Sequence, residues 1–201
     1  MPPTEIVPGL LYWRAPHPQW TPQSDWEQLV GCVLYELEDV VVLIDPLLPA
    51  EGREQFLDWL DQRVAGRPVS ILTTIKWHRR DREELARRYR SHSDKAWNAI
   101  PPGVAPKPLR GAGETLFWLV RVQTLVAGDR LIGDDAGGLR LCPEQWLDDV
   151  AVDRRGLAHL LRPLLELPIE RVIFSHGEPV LHDGRAALAR AIERAEAGVE
   201  S

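Results

Sequence analysis

A chain of 201 residues with 44% hydrophobic and 27% charged side chains can bury one sizeable core and reads as a single domain over 1–201. Its 30 acidic residues against 24 Lys and Arg give a net charge of −6, which repels a polyanion and argues against a nucleic-acid binder. No apolar run approaches the ~20 residues that span a bilayer, and the opening MPPTEIVPG has neither the basic nor the apolar region of a secretion signal, so a soluble cytoplasmic protein without a membrane partner is expected.

In chain order, EIVPGLLYWRAP and GCVLYELEDVVVLIDPLLP predict two or three strands, the last ending at Asp45-Pro46. AEGREQFLDWLDQRV places Phe56, Leu57, Leu60 and Val64 at helical spacing, with Gly66 and Pro68 closing the segment. VSILTTI is a short buried strand. DREELARRYR is a helix in which Asp81 and Glu84 have the spacing of a capping box, and Glu83 with Arg87 and Glu84 with Arg88 have that of i,i+4 ion pairs.

ETLFWLVRVQTLVAGD predicts a hairpin stopping at Gly128-Asp129, and DRRGLAHLLRPLLEL a helix interrupted at Pro163. RVIFSHG is a strand running into a glycine loop, and GRAALARAIERAEAG a final amphipathic helix. Two strand-rich halves, each with helices, predict an α/β fold in four αββα layers. Cys32 and Cys142, the two cysteines of the chain, stand in apolar contexts and are expected to be buried, reduced thiols. Trp77, Trp97 and Trp118 read as core or pocket wall, and His17, His92, His159 and His182, which have no spacing partner, as surface or cap residues.

Asp45, His78, Asp129 and His176 each follow a predicted strand, where loops commonly carry functional side chains. The order of these pieces resembles the metallo-β-lactamase superfamily over nearly the whole chain: VVVLIDP, ILTTIKWHRRD in the place of a His-x-His-x-Asp-His motif, GAGETLFWL, LVAGDRLIG and VIFSHGEPV. The resemblance implies the αββα fold and a hydrolase that uses two metal ions, usually zinc. Matched residue by residue, the motif is degenerate. Thr74 and Lys76 stand where two histidines belong, His78 where the aspartate belongs, Arg79 in place of the last histidine, and Arg110 in place of the next ligand. Asp129, Asp45 and His176 match, Asp45 as a supporting aspartate.

An ammonium or guanidinium has no lone pair for a metal, so the first ion position is expected to be lost. His78, Asp129 and His176 remain as a set of two imidazoles and a carboxylate suited to one zinc or to iron(II), with Asp129 and His78 as the catalytic candidates. Against this, the adjacent cations Lys76, Arg79 and Arg80 repel a dication. Three readings follow: a hydrolase-like protein with one metal; a metal-free pseudoenzyme or regulatory protein whose Thr74, Lys76, Arg79 and Arg110 form a pocket for an anionic small molecule; or the fold kept as an interaction scaffold, for instance in a dimer.

Overall fold

The apolar N-terminal third forms four strands, one more than the sequence pattern suggests. In the computed structural model, which describes residues 3–89, 98–134 and 136–198, β1 (Thr4–Val7) and β2 (Leu10–Pro16) are split at Pro8-Gly9, where Gly9 takes φ 81°. That left-handed conformation suits glycine. Trp97 and His92 lie outside the described residues.

The chain divides into two compact units, Met1–Thr73 with Trp77–Pro102 and Thr74–Lys76 with Gly103–Ser201. In the first, β1, β2, β3 (Leu29–Glu36), β4 (Val41–Ile44) and β5 (Val69–Leu72) form one sheet in sequence order. Neighbours are antiparallel except β4 and β5, which run parallel with Ile44 opposite Leu72. All four residues of β4 are buried, which explains why Val41–Ile44 is a continuous apolar run and not an alternating one.

Helix α1 (Arg53–Val64) buries Phe56, Leu60 and Val64 and ends at Ala65 in the left-handed region, just ahead of Gly66. Helix α2 (Arg82–Arg88) adds Leu85 to the same core, which includes Leu11, Leu34, Leu43 and Ile71 of the sheet. Burying side chains of this size stabilises by roughly 1.5–3 kcal/mol each.

The capping box at α2 does not form. Asp81 precedes the helix without capping it; its carboxylate instead accepts from the Leu48 N–H at 2.7 Å and from Arg53 at 3.4 Å. Glu84 also takes Arg53, at 2.5 Å. The expected i,i+4 pairs are likewise replaced. Glu83 pairs with Arg79, Glu84 with Arg53, and Arg88 with Asp61, which also accepts from the Tyr89 hydroxyl at 2.8 Å. Arg79–Glu83 is still an i,i+4 pair, shifted one turn toward the N-terminus, whereas Arg53–Glu84 and Arg88–Asp61 join residues distant in sequence and tie α2 to the rest of its unit.

In the second unit β6 (Val104–Leu109), β7 (Glu114–Leu119), β8 (Thr124–Val126) and β11 (Arg171–Ile173) form a sheet in the order β11-β8-β7-β6, and β9 (Leu131–Gly133) pairs with β10 (Leu139–Leu141). The β7–β8 hairpin is as expected. Strand β6 was hidden by Pro106 and Pro108, which two residues apart leave both missing N–H groups on the outer edge of an edge strand.

Helix α3 (Arg154–Leu161) is capped by Asp153, whose carboxylate accepts from the Gly156 N–H at 2.7 Å, and gives way to a 3₁₀ turn over Arg162–Glu166 with Pro163 in its first turn. The final helix α4 (Gly184–Glu196) packs with α3 onto Leu116, Trp118, Leu125 and Val172. Each unit therefore holds a sheet with helices on one face, and the α/β class is as expected.

The two aspartates before α2 and α3 should respond differently to substitution. Serine caps about as well as aspartate, so Asp153→Ser should be within ~0.5 kcal/mol of wild type in urea unfolding. Asp81→Ser should cost about 1–2 kcal/mol, because it removes a charged acceptor from Leu48 and Arg53; equal effects would restore the capping role to Asp81.

Candidate functional site

Parallel pairing brings the second unit's candidates together. Strands β8 and β11 run side by side with Val126 opposite Ile173. Three residues past each partner come Asp129 and His176. The ladder continues into both loops through Ala127 N–H to Ile173 O at 2.9 Å and Ser175 N–H to Gly128 O at 3.4 Å. The result is a buried pair, His176 Nε2 to Asp129 Oδ1 at 3.4 Å.

Two glycines permit this approach. A Cβ on Gly128 would lie 2.4 Å from the Thr74 hydroxyl, and one on Gly177, at φ 81°, would lie 2.6 Å from the Gly133 Cα. Neither position has room for a side chain. The backbone contact at Gly177 is reinforced by the Gly133 N–H donating to His176 O at 2.9 Å, which fixes the loop that presents the imidazole. The Trp146 ring meets the His176 ring edge-on, with centroids 5.5 Å apart.

Asp129 is held by a residue that sequence reasoning missed. Glu114, at the start of β7, is buried and points its carboxylate at the turn after β8. Oε1 accepts from the Gly128 N–H, and Oε2 from those of Asp129 and Arg130, all at 2.9 Å. Arg130, also fully buried, donates from Nε to Ala112 O at 2.8 Å and from a terminal nitrogen to Trp146 O at 2.7 Å. A lone acidic residue opening an otherwise apolar strand behind Gly111 and Gly113 was the available signal for Glu114. Burial, and then the nearby Asp129 charge, push the Glu114 carboxyl up to about 6, against the opposing pull of the three amides.

In the first unit Asp45 follows β4 with φ 49°, an uncommon backbone for a residue with a Cβ. Its N–H donates to Leu72 O at 3.1 Å, and its Oδ2 lies 2.9 Å from His78 Nδ1; both side chains are buried. A carboxylate oxygen only accepts, so Nδ1 carries a proton, and in the neutral imidazole the lone pair then belongs to Nε2. This is the arrangement that prepares an imidazole as a metal ligand.

The neighbouring cations are less threatening than their sequence positions suggest. Arg79 is exposed and paired with Glu83 at 2.6 Å. Arg80, at φ 40°, turns its guanidinium to Gly31 O at 2.8 Å and Asp45 O at 2.7 Å, bracing the His78 loop. In the second unit Thr74 is buried, and its carbonyl accepts from the Thr115 N–H at 2.8 Å. Lys76 and Arg110 are exposed. Both cysteines are free and buried, and burial above all raises each thiol to about 11, so neither supplies a thiolate near neutral pH.

Glu114 makes the stability depend on pH. Its folded value lies above the ordinary 4.5, so the folded state holds the proton more tightly. The associated stabilisation is present below about 4.5 and is lost as pH rises through about 6. Urea unfolding at pH 4 and pH 7 should show the stability of wild type relative to Glu114→Gln falling by on the order of 2 kcal/mol at the higher pH; an unchanged gap would contradict the shift.

No family model matches the sequence, and no curated protein matches it. Solved structures do. DIM-1 metallo-β-lactamase superposes with a TM-score of 0.67 at 12% identity, covering 98% of this chain and 97% of its own. A metallo-β-lactamase from Erythrobacter litoralis gives 0.64 at 17% identity, covering 97% and 92%. One from Pontibacter korlensis gives 0.56 at 12%, covering 96% and 98%. Superposition over nearly the full length of each chain shows that this protein has the metallo-β-lactamase fold.

Proposed function

We propose that the chain is a hydrolase-like protein with a single-metal centre in place of two ions, its ligands being His78, Asp129 and His176. Each of the three is buried and offers one ligand atom. The observation that carries the reading is the Asp45–His78 hydrogen bond, which takes up Nδ1 and so makes Nε2 the donor atom of the neutral ring; the closeness of Asp129 to His176 supports it.

The donor chemistry fits one ion and not two. At the other position Thr74 is packed against Gly128, and Lys76 and Arg110 have no lone pair to give. Two imidazoles and a carboxylate suit zinc or iron(II). Such an ion supplies Lewis acidity toward a carbonyl or phosphoryl oxygen. Of the chain's own groups, Asp45 keeps the Nδ1 proton of His78 in place, and Asp129 is the carboxylate positioned to take a proton from an attacking nucleophile. With half of a two-ion centre missing, turnover is weak or absent relative to a two-metal hydrolase.

The alternative, a metal-free pocket for a small anion around Lys76, Arg79 and Arg110, is disfavoured by the commitment of Arg79 to Glu83. We place the protein in the cytoplasm. Two free, buried thiols fit a reducing compartment, and among the described residues no helix is long and apolar enough to cross a membrane.

Metal analysis by mass spectrometry tests the proposal. Protein prepared without chelator and then offered zinc should retain about one equivalent, and His176→Ala and His78→Ala should each lose it. A wild-type protein that stays metal-free after zinc is offered would overturn the single-metal reading.

A further inference from the structure

We infer that Glu114 is a positioning residue for the metal centre: by gathering the amides of Gly128, Asp129 and Arg130 it sets the Asp129 carboxylate beside His176 before any ion arrives. The inference rests on the single-metal reading above but concerns a residue that the degenerate motif does not contain.

The geometry is specific. Both carboxylate oxygens are used, and all three distances are 2.9 Å. The three N–H groups are consecutive, so the turn after β8 wraps one side chain. A simple strand-to-loop exit needs no such acceptor, because water satisfies exposed amides; here the turn is buried, and an unpaired amide would cost about 1–3 kcal/mol. Glu114 therefore fixes the backbone of Asp129 on both sides of its Cα, through the residue's own N–H and that of Arg130.

The same anchor reaches His176 by a second route. Once the Arg130 backbone is fixed, its buried guanidinium donates to Trp146 O at 2.7 Å, and the Trp146 ring sits edge-on to His176. One carboxylate thus constrains both ligands of the second unit without touching a metal.

Zinc affinity, measured by competition with a chromophoric chelator, should fall about 10–100-fold in Glu114→Gln, the range for loss of a group that orients a ligand. The control is Thr124→Val, which removes a buried hydrogen bond in the adjacent strand, Thr124 Oγ1 to Val122 O at 2.8 Å, and should stay within about twofold. A Gln variant within twofold of wild type, or a Val variant that loses as much, overturns the inference. If Glu114→Gln does not fold, Glu114→Asp takes its place, since the shorter side chain keeps the charge but cannot reach all three amides; wild-type affinity in that variant also overturns it.

If wild type takes up no zinc, the single-metal reading fails, and the positioning role is decided on the metal-free protein. Amide hydrogen exchange should then lose protection at Asp129 and Arg130 in Glu114→Gln, with protection kept at Phe117 and Leu125. Unchanged protection at Asp129 and Arg130 contradicts the inference.

Discussion

A buried carboxylate that collects three consecutive backbone amides is the constraint on which the Asp129–His176 pair of the second unit depends. Removing Glu114 from water is costly, as the upward displacement of its pKa to about 6 shows, and three N–H donors at 2.9 Å offset part of that cost. In return the turn after β8 is wrapped around a single side chain. Asp129 and Arg130 leave that turn in fixed directions, the first toward His176 and the second toward the Trp146 carbonyl.

The two units use a common device. Each contains a pair of parallel strands, β4 with β5 and β8 with β11, and in each a carboxylate just past one strand end meets a histidine. Asp45 lies 2.9 Å from His78, and Asp129 3.4 Å from His176. The roles differ. Asp45 orients its histidine from behind, while Asp129 is itself a candidate ligand. Positive φ at Asp45 and Arg80, on either side of His78 in its loop network, is the kind of local strain that structures retain where a side chain must be aimed.

Much of this was legible in the sequence, and the exceptions have physical causes. Continuous runs such as VVLI and the helical spacing of Phe56, Leu60 and Val64 identified their elements, because burial there is dictated by local pattern. The strand Val104–Leu109 was not legible, since two prolines suppress a strand reading unless the strand is known to be an edge. The Asp81–Glu84 spacing pointed to a capping box, yet the acceptors went to Leu48 and Arg53, residues that only tertiary packing brings near. Among candidate site residues, the motif order pointed to Asp45, His78, Asp129 and His176, whereas Glu114 and Arg130 carry no motif. Both are buried and hydrogen-bonded to backbone groups, which a charged letter in a sequence does not advertise. The Lys76, Arg79 and Arg80 run misled in the other direction: Arg79 and Arg80 spend their charge on Glu83 and on backbone carbonyls.

The single-metal proposal requires His78, Asp129 and His176 to act as one centre. X-ray absorption at the zinc edge of loaded protein reads that directly. It should show a shell of two imidazoles completed by oxygen donors, with no sulfur and no metal–metal vector at about 3.5–4 Å. Thiolate scattering, or a second metal at that distance, would contradict it.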